Sequence, residues 1–331
     1  MPRANCASWP CLRADQLSPQ EPPSDAHPQA ILIAGPTASG KSATALALAE
    51  RLAGTILNAD SMQVYRELAI LTARPNAAEQ NRVAHRLYGM VPASEAYSVG
   101  QWLADVSLAV GETRNTGTLP ILVGGTGLYF KALLDGLAPI PDIPPDIRLH
   151  WRAQEQTLGP DALHEMLAET DPAMAARLRP TDSQRVVRAL EVIGATGVSL
   201  SEWQETSSPS LFNSDAVLKI VIAPEREQLY AAIDARFERM VATGALDEAR
   251  IVMKLDLSPA LPAMRAHGVR ELTAVLAGTM SEDEAIAKVK TETRRYAKRQ
   301  MTWARRYMAD WHWVPDAEAA VAVAASAFSR P

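Results

Sequence analysis

The sequence predicts an α/β fold in which a parallel sheet flanked by helices carries an inserted all-helical segment. Short apolar runs alternate with helix-forming runs over residues 29–138, and a strand-like run returns after residue 211. Between them, a proline-rich stretch opens a segment of helical character. These observations predict a core built from 29–138 and 211–331, with a helical insertion domain at 139–210.

The first predicted strand runs directly into a glycine-rich loop. The run ILIA at 31–34 precedes GPTASGKS at 35–42, and a helix-forming run follows. This is the phosphate-binding pattern G-x-x-x-x-G-K-[ST], placed between a strand and a helix as the pattern requires. Backbone N–H groups and the helix N-terminus favour an anion there, Lys41 adds a positive charge, and the Ser42 hydroxyl can bind magnesium. The pattern predicts a phosphate or diphosphate site comprising Gly35, Pro36, Thr37, Ala38, Ser39, Gly40, Lys41 and Ser42.

Two further positions follow predicted strands. Asp60 comes after the second strand, where residues of an open α/β sheet face the ligand crevice. It is a candidate base or metal partner, and the alternative is a helix N-cap. The run at 85–91 is the next strand candidate, and a buried strand at 119–123 follows it. That buried strand runs into Gly124, Gly125 and Thr126, where an ATPase places an acidic residue to hold the magnesium complex. This difference argues against a motor or switch ATPase and leaves simple kinases possible.

The charge distribution is polarised. The net charge is −5 and the pI about 5.8, so nucleic-acid binding needs a local basic surface. Residues 288–306 carry eight basic residues and one acidic residue, in a helix that the pair Ser281 and Glu284 opens as a capping box. This helix predicts a footprint for a polyanion. The arginines of 184–188 are either a solvated helix face or a second such footprint.

The remaining features set the class of protein. Residues 1–28 are proline-rich and predict a disordered extension, which also holds the two cysteines, Cys6 and Cys11. The predicted folded part therefore has no disulfide framework or zinc motif. No run approaches the ~20 apolar residues of a membrane span. We expect a cytoplasmic monomer with no membrane association.

Six segments, in order, resemble the tRNA dimethylallyltransferase (tRNA isopentenyltransferase) family in its bacterial form. They are GPTASGKS, NADSMQVY, LVGGTGLYFKALLDGL, DSQRVVRALEV, MRAHGVREL and KRQMTW. The resemblance implies a P-loop NTPase-like core with an inserted tRNA-binding domain. It implies transfer of a dimethylallyl group from dimethylallyl diphosphate to N6 of adenosine 37 in tRNAs that read codons beginning with U. Magnesium is implied as the cofactor, and the anticodon stem-loop of tRNA as the partner.

The resemblance also implies roles for individual residues. Asp60 is implied as the general base, Thr126 as a hydroxyl at the reacting centre, and Lys41 with its loop as the diphosphate cradle. The residues implied to contact tRNA are Asp60, Ser61, Met62, Gln63, Thr126, Arg148, Gln184, Arg185, Val186, Val187, Arg188, Arg265, Ala266, His267, Gly268, Val269 and Arg270. Two positions depart from the family pattern: Leu71 stands where a glycine is frequent, and Val269 stands where a tyrosine is frequent.

Three other functions fit part of the sequence. A small-molecule P-loop kinase would consume ATP and has no use for the basic helix. A non-catalytic RNA-binding protein with a nucleotide switch leaves Asp60 and Thr126 unexplained. An adenylate isopentenyltransferase would modify free nucleotides, and the helical insertion argues against it.

Overall fold

A six-stranded sheet with all neighbours parallel lies at the centre of the larger of two units. The computed structural model describes residues 27–206 and 208–329, so most of the predicted N-terminal extension, with Cys6 and Cys11, lies outside the described residues. The strands are β1 (Ile31–Ala34), β2 (Gly54–Asn58), β3 (His85–Arg86), β4 (Leu119–Gly124), β5 (Leu218–Ile222) and β6 (His312–Val314). Their order across the sheet is β3-β2-β4-β1-β5-β6.

Helices connect the strands and form the smaller unit. They are α1 (Lys41–Leu52), α2 (Ala77–Arg82), α3 (Val99–Asn115), α4 (Gly127–Asp135), α5 (Pro145–Thr157), α6 (Pro160–Thr170), α7 (Pro172–Ala175), α8 (Ser183–Thr196), α9 (Leu200–Glu205), α10 (Arg226–Ala242), α11 (Ala245–Lys254), α12 (Val269–Leu276), α13 (Glu282–Tyr307) and α14 (Ala317–Phe328). The chain divides into a unit of residues 1–134 and 211–331 and a helical unit of 135–210, whereas the sequence predicted 139–210 for the insertion.

Both faces of the sheet are covered, which explains why the strands are apolar without alternation. Ile31 and Ile33 of β1 pack in a cluster with α1 and α14. Leu32 and Ala34 point the other way and pack with α3, α4 and the end of α13. The carboxyl ends of β1 and β4 pair in register, Ala34 opposite Gly124. The two loops that follow these strands therefore begin side by side.

The helical unit has its own core. Helices α5, α6, α8 and α9 contribute side chains to one cluster, and on α8 the buried positions include Val186, Val187 and Leu190. The buried carboxylate of Glu191 receives an ion pair from Arg188 on the same helix. A buried charge needs such a partner. Arg185 is exposed and Arg188 half-exposed, so both arginines of α8 lie beside its buried apolar positions.

The predicted strand at 85–91 is mostly wrong. Only His85–Arg86 pairs as a strand, and Val91 makes an isolated bridge to Tyr65. The segment breaks because Leu87 and Gly89 have φ values of 67° and 59°, in the left-handed region that ends strand pairing.

Other elements also differ from the sequence predictions. Helices α2, α4 and α14 were not predicted. The sequence of 261–270, with a proline, a glycine and two arginines, predicts a loop-like turn. The structure has a 3₁₀ turn there, Pro262–Arg265, and then the start of α12, so Arg270 is helical. Ser281 caps α13 by accepting the N–H of Glu284 at 3.3 Å, which is the first half of the expected capping box. No helix in the described ranges has the length and apolar character needed to cross a bilayer.

Candidate active site

The phosphate loop joins β1 to α1 and places the N-terminus of α1 at the edge of the sheet. Gly40 precedes α1 with φ of 87°, and Ala38 has φ of 64°. A side chain at Gly35 is excluded, because an added Cβ would lie 2.8 Å from the carbonyl oxygen of Ile222. The loop is therefore curled tightly against β5, with the positive end of the helix dipole at its centre.

Ser39 supplies an unsatisfied hydroxyl inside this loop. Its Oγ is buried and has no hydrogen-bond partner among the described residues. Buried polar atoms in proteins are nearly always paired. A phosphate oxygen in the loop would complete the pairing, so the orphaned hydroxyl fits an anionic ligand.

Lys41 lies buried at the start of α1. Its Nζ donates to the carbonyl oxygen of Pro36 at 3.1 Å. Burial lowers the pKa of Lys41 to about 8, an effect that the charge of Asp60 opposes and that of Arg236 reinforces. Keeping the buried lysine charged therefore costs desolvation free energy, which a bound diphosphate would offset.

Arg236 is a second cation at the loop, and no sequence motif predicted it there. Its Nη1 donates to Thr37 Oγ1 at 3.2 Å and its Nη2 to the carbonyl oxygen of Thr72 at 3.4 Å. Burial lowers the pKa of Arg236, and Asp60 opposes the shift. In the sequence, Arg236 is visible only as an arginine beside the apolar positions of α10. That pattern does not predict which residues the arginine contacts.

Asp60 lies just beyond β2, as predicted, and it caps a turn there and not a helix, since the next helix begins at Ala77. Its Oδ1 accepts the N–H of Met62 at 2.9 Å, which is a local capping bond. Its backbone N–H donates to the Asn58 side chain at 2.9 Å, and Asn58 is fully buried. The turn at Asp60 is therefore anchored to the protein core. Asp60 Oδ2 lies 3.5 Å from the point where a Cβ of Gly125 would stand. The carboxylate therefore faces the glycine pair that follows β4.

Thr126 holds the Asp60 turn from the opposite side. Its Oγ1 accepts the N–H of Ser61 at 2.9 Å and donates to Ser61 Oγ at 3.2 Å. Its own N–H donates to the carbonyl oxygen of Ala59 at 3.3 Å. In this structure the hydroxyl orients the residue next to Asp60, so Thr126 supports the turn that carries the Asp60 carboxylate.

Replacing Thr126 by valine is expected to lower kcat by about 10–100-fold, because the Asp60 turn loses both bonds to Ser61 and small displacements of reacting groups are costly. The donor KM stays near the wild-type value, since the phosphate loop is untouched. Steady-state kinetics on purified protein measures both. Thr126→Ser keeps the hydroxyl and restores kcat; a valine variant with wild-type kcat contradicts this role.

A cavity of about 240 Å³ opens beside the phosphate loop and the glycine pair. Helix α13 closes it: Gln300 accepts the N–H of Thr37 at 3.0 Å and donates to the carbonyl oxygen of Gly125 at 2.9 Å. The indole of Trp303 lies against Gly127, where any Cβ would clash with the ring. The apolar part of the lining is Leu128, Phe130, Met301, Trp303, Ala304 and Met308. The site therefore offers room for a small apolar group directly beside a phosphate cradle.

The basic helix is less positive than its sequence indicates. Four of its eight cations pair with carboxylates, and the pairs are Lys288–Glu271, Lys290–Glu238, Arg294–Asp234 and Arg295–Glu292. Four others are exposed and make no ion pair within residues 27–206 and 208–329, and these are Lys298, Arg299, Arg305 and Arg306. The surface available to a polyanion is thus the carboxyl-terminal half of α13.

The segment 265–270 presents only part of itself to solvent. Arg265 and Arg270 are exposed, whereas Val269 is fully buried. The side chains of Ala266 and Val269 are buried and Gly268 has none, so contacts of these three residues with tRNA would have to come from the backbone, and they stay a prediction. Since position 269 faces the core, valine in place of an aromatic residue removes no ring from the surface.

His267 remains partly accessible in this segment. Its ring lies 5.0 Å from that of Tyr296 on α13. Burial lowers the pKa of His267, and the nearby Arg299 lowers it further. The imidazole is therefore neutral near neutral pH and adds an aromatic surface beside the site.

Residues 61–63 lie beside Asp60 and are half-buried. The Gln63 amide is turned inward, where its Nε2 donates to the carbonyl oxygens of Thr72 and Ala73 at 2.8 and 3.2 Å. Its amide therefore braces the loop at 69–73. Ser61 is held by Thr126, as described above.

The remaining predicted contacts lie in the helical unit. Gln184 and Arg185 are exposed, and Arg188 and Arg148 are half-exposed. Val186 and Val187, in contrast, are 0% and 5% exposed in the core of that unit, so their side chains do not reach its surface, and contact of these two residues with tRNA stays a prediction.

The donor set fits magnesium only together with a diphosphate. Ser42 is exposed in the first turn of α1 and offers one oxygen. Within the described part of the chain, no three His, Cys, Asp or Glu side chains cluster closely enough to hold a metal ion. Magnesium keeps several waters and binds through one or two protein oxygens plus substrate phosphates. The residues present match that mode of binding.

The pKa of Lys41 predicts a pH dependence of donor binding. Below pH 8 the lysine is charged both before and after the diphosphate binds, and this group contributes no slope. Above pH 8 the free enzyme loses the proton, whereas the bound anion favours the charged form, so binding takes up a proton. We expect affinity for the donor to fall by up to about tenfold per pH unit there.

Calorimetry in buffers of different ionisation enthalpy measures this proton uptake. In Lys41→Met, only the titration of the ligand itself remains, so this variant serves as the control. The additional fall of donor affinity with pH above pH 8 is expected to be absent from it. A slope unchanged in Lys41→Met contradicts the assignment.

The parallel sheet, the curled loop and the two cations beside it define a P-loop protein. A family described as IPP transferase matches residues 63–307, and one described as isopentenyl transferase matches residues 28–91. The chain belongs to the IPP transferase family.

Relatives match over most of their length. A tRNA dimethylallyltransferase of Rhodopseudomonas palustris (strain BisB18) is 52% identical over 87% of this chain and 92% of its own. One of Chelativorans sp. (strain BNC1) is 50% identical over 86% of this chain and 98% of its own.

Two solved structures are also similar to this chain in sequence and fold. The full-length tRNA isopentenylpyrophosphate transferase of Bacillus halodurans is 37% identical, with a TM-score of 0.62, and the match covers 87% of this chain and 89% of that one. A eukaryotic dimethylallyltransferase, described as acting on tRNA, is 28% identical with a TM-score of 0.74, over 87% and 73% of the two chains.

Proposed function

We propose that this chain transfers a dimethylallyl group from dimethylallyl diphosphate to N6 of adenosine 37 in tRNAs that read codons beginning with U. The products are N6-(dimethylallyl)adenosine and diphosphate. One observation carries the proposal: a carboxylate, Asp60, faces the glycine pair where an apolar cavity adjoins a phosphate cradle. A kinase needs no such apolar space beside its phosphates.

The reaction follows from these groups. The N6–C1 bond forms as the C1–O bond to the diphosphate breaks, and the N6 proton passes to the Asp60 carboxylate. An adenine amine is a weak nucleophile, so the base acts as the bond forms. Negative charge grows on the leaving diphosphate, where Lys41, Arg236 and the amides of the loop stabilise it. The Leu128 and Phe130 side of the cavity suits the methyl-bearing carbon chain.

The acceptor must leave its stack to reach Asp60. Enzymes that modify a base extrude it into a pocket, and single-stranded loops are read by stacking and base-edge contacts. The exposed half of α13, with Arg299 and Arg305, supports contact with the RNA backbone. Action as a monomer is part of the proposal, and a tRNA substrate supports a cytoplasmic location.

Magnesium is part of the proposal as the partner of the diphosphate. The Ser42 hydroxyl would hold the ion, and the ion would supply further charge to the leaving group. Chelation of divalent ions in the assay is expected to abolish transfer, and added magnesium to restore it.

The test is incubation with radiolabelled dimethylallyl diphosphate, magnesium and an unmodified tRNA, with free AMP and with ATP in parallel arms. Label in the tRNA and none in AMP is the expected result. Label in AMP would support an adenylate isopentenyltransferase. ATP consumption without label transfer would favour the kinase.

A further inference from the structure

Glu248 on α11 is a buried acidic residue to which the proposed chemistry assigns no role. It is 6% exposed. Its Oε2 accepts the N–H groups of Ala69 at 2.8 Å and Ile70 at 2.7 Å, and its Oε1 accepts that of Leu71 at 2.8 Å. Three consecutive amides thus converge on one carboxylate. Hydrogen bonds to a charged acceptor are about twice as strong as neutral ones.

Glu248 holds a compact turn, the 69–73 loop. The N–H of Ala73 donates to the carbonyl oxygen of Ile70, and that of Arg74 to Ala69, both at 2.9 Å. Ala73 has a φ of 50°. Because these internal hydrogen bonds close the turn, the N–H groups that face Glu248 and the carbonyl groups on the other side of the loop move together.

The carbonyl side of the same loop reaches the phosphate site. The carbonyl oxygen of Thr72 accepts from Gln63 Nε2 at 2.8 Å and from Arg236 Nη2 at 3.4 Å. The other terminal nitrogen of Arg236 donates to Thr37 of the phosphate loop at 3.2 Å. A continuous path of hydrogen bonds therefore runs from α11 through the 69–73 loop to the cation at the cradle.

We propose that Glu248 is a positioning residue for the donor diphosphate, which aims the Arg236 guanidinium at the phosphate loop by fixing the 69–73 loop. The inference rests on the proposed function only in taking a diphosphate as the ligand of that loop. Glu248 itself touches neither substrate. Its effect is on the binding of the diphosphate and not on the proton transfer at Asp60.

Replacing Glu248 by glutamine keeps the shape but removes the charge and turns an N–H₂ group toward a backbone N–H. The dissociation constant of inorganic pyrophosphate with magnesium is expected to rise by on the order of 10–100-fold, as when a partner of a ligand-holding group is lost. The donor KM rises by a similar factor, and kcat and tRNA affinity change little. Calorimetry, kinetics and filter binding measure these quantities.

A double-mutant cycle separates positioning from a general loss of structure. In an Arg236→Met background, Glu248→Gln is expected to change pyrophosphate affinity by less than about twofold, because its target is gone. The matched control is Asp247→Asn, one residue earlier on α11, whose exposed carboxylate pairs with Arg250. It leaves every quantity unchanged. If Glu248→Gln does not fold, Glu248→Asp carries the same cycle.

The outcomes distinguish this inference from the proposed function. Equal losses in both backgrounds, or a loss confined to kcat or to tRNA affinity, would overturn the role of Glu248. A pyrophosphate defect that depends on Arg236, in a protein that modifies no tRNA, would sustain it and overturn the proposed function.

Discussion

Replacing Asp60 by asparagine is expected to lower kcat by about 10²–10⁴-fold, the usual contribution of a positioned general base. The amide retains an oxygen for the N–H of Met62, so the turn is preserved, but it accepts no proton from N6. Donor KM near neutral pH stays within a few-fold of wild type. Single-turnover transfer with bound tRNA measures the chemical step directly.

The control for this variant is Asp310→Asn, which removes an exposed carboxylate paired with Lys219. It is expected to have wild-type kcat. A second signature follows from charge: Asp60 raises the pKa of Lys41, so its neutralisation lowers that pKa further. The decline of donor affinity with pH then begins at a lower pH than in wild type. An Asp60→Asn enzyme with normal kcat contradicts the role of the base.

Replacing Lys41 by methionine is expected to lower kcat/KM for the donor by about 10²–10³-fold, comparable with the loss of one preorganised group that stabilises a developing anion. The lysine is buried, so the apolar substitute fits without exposing a cavity, and the thermal midpoint does not fall. Affinity for tRNA is unaffected, because the lysine lies at the base of the cradle. Kinetics with varied donor concentration, together with a melting curve, measures both.

Lys254→Met, at an exposed position on α11, is the control for loss of a lysine and is expected to behave as wild type. Preserved kcat/KM in Lys41→Met would show that the loop does not hold the diphosphate. A large fall in the melting temperature would show instead that the lysine supports the fold.

The parts of the site that are local in sequence could be predicted. The phosphate loop depends on residue types at fixed spacing between a strand and a helix, and each of these is visible in the chain. Asp60 and the pair Gly124–Gly125 follow strands of a parallel sheet, so topology alone brings them to one edge. The helical insertion and the boundary prolines are likewise features of composition.

The parts of the site that depend on contacts between distant positions could not be predicted from the sequence. Arg236 meets Thr37 across 199 positions and Gln300 meets it across 263, so no spacing links them. The count of charges in α13 overstated its positive surface, because the carboxylates that neutralise its first half belong mostly to α10 and α12. The prediction of a strand at 85–91 failed because Leu87 as well as Gly89 has a positive φ, and the apolar content of the run does not signal that conformation at a leucine.

The measurement that tests the account most directly compares label transfer to a tRNA with adenosine at position 37 and to the same tRNA with guanosine there, by wild type and Asp60→Asn. The account predicts label in the first tRNA with wild type alone, recovered on digestion as N6-(dimethylallyl)adenosine. Equal label in both tRNAs, or equal label with both enzymes, would contradict it.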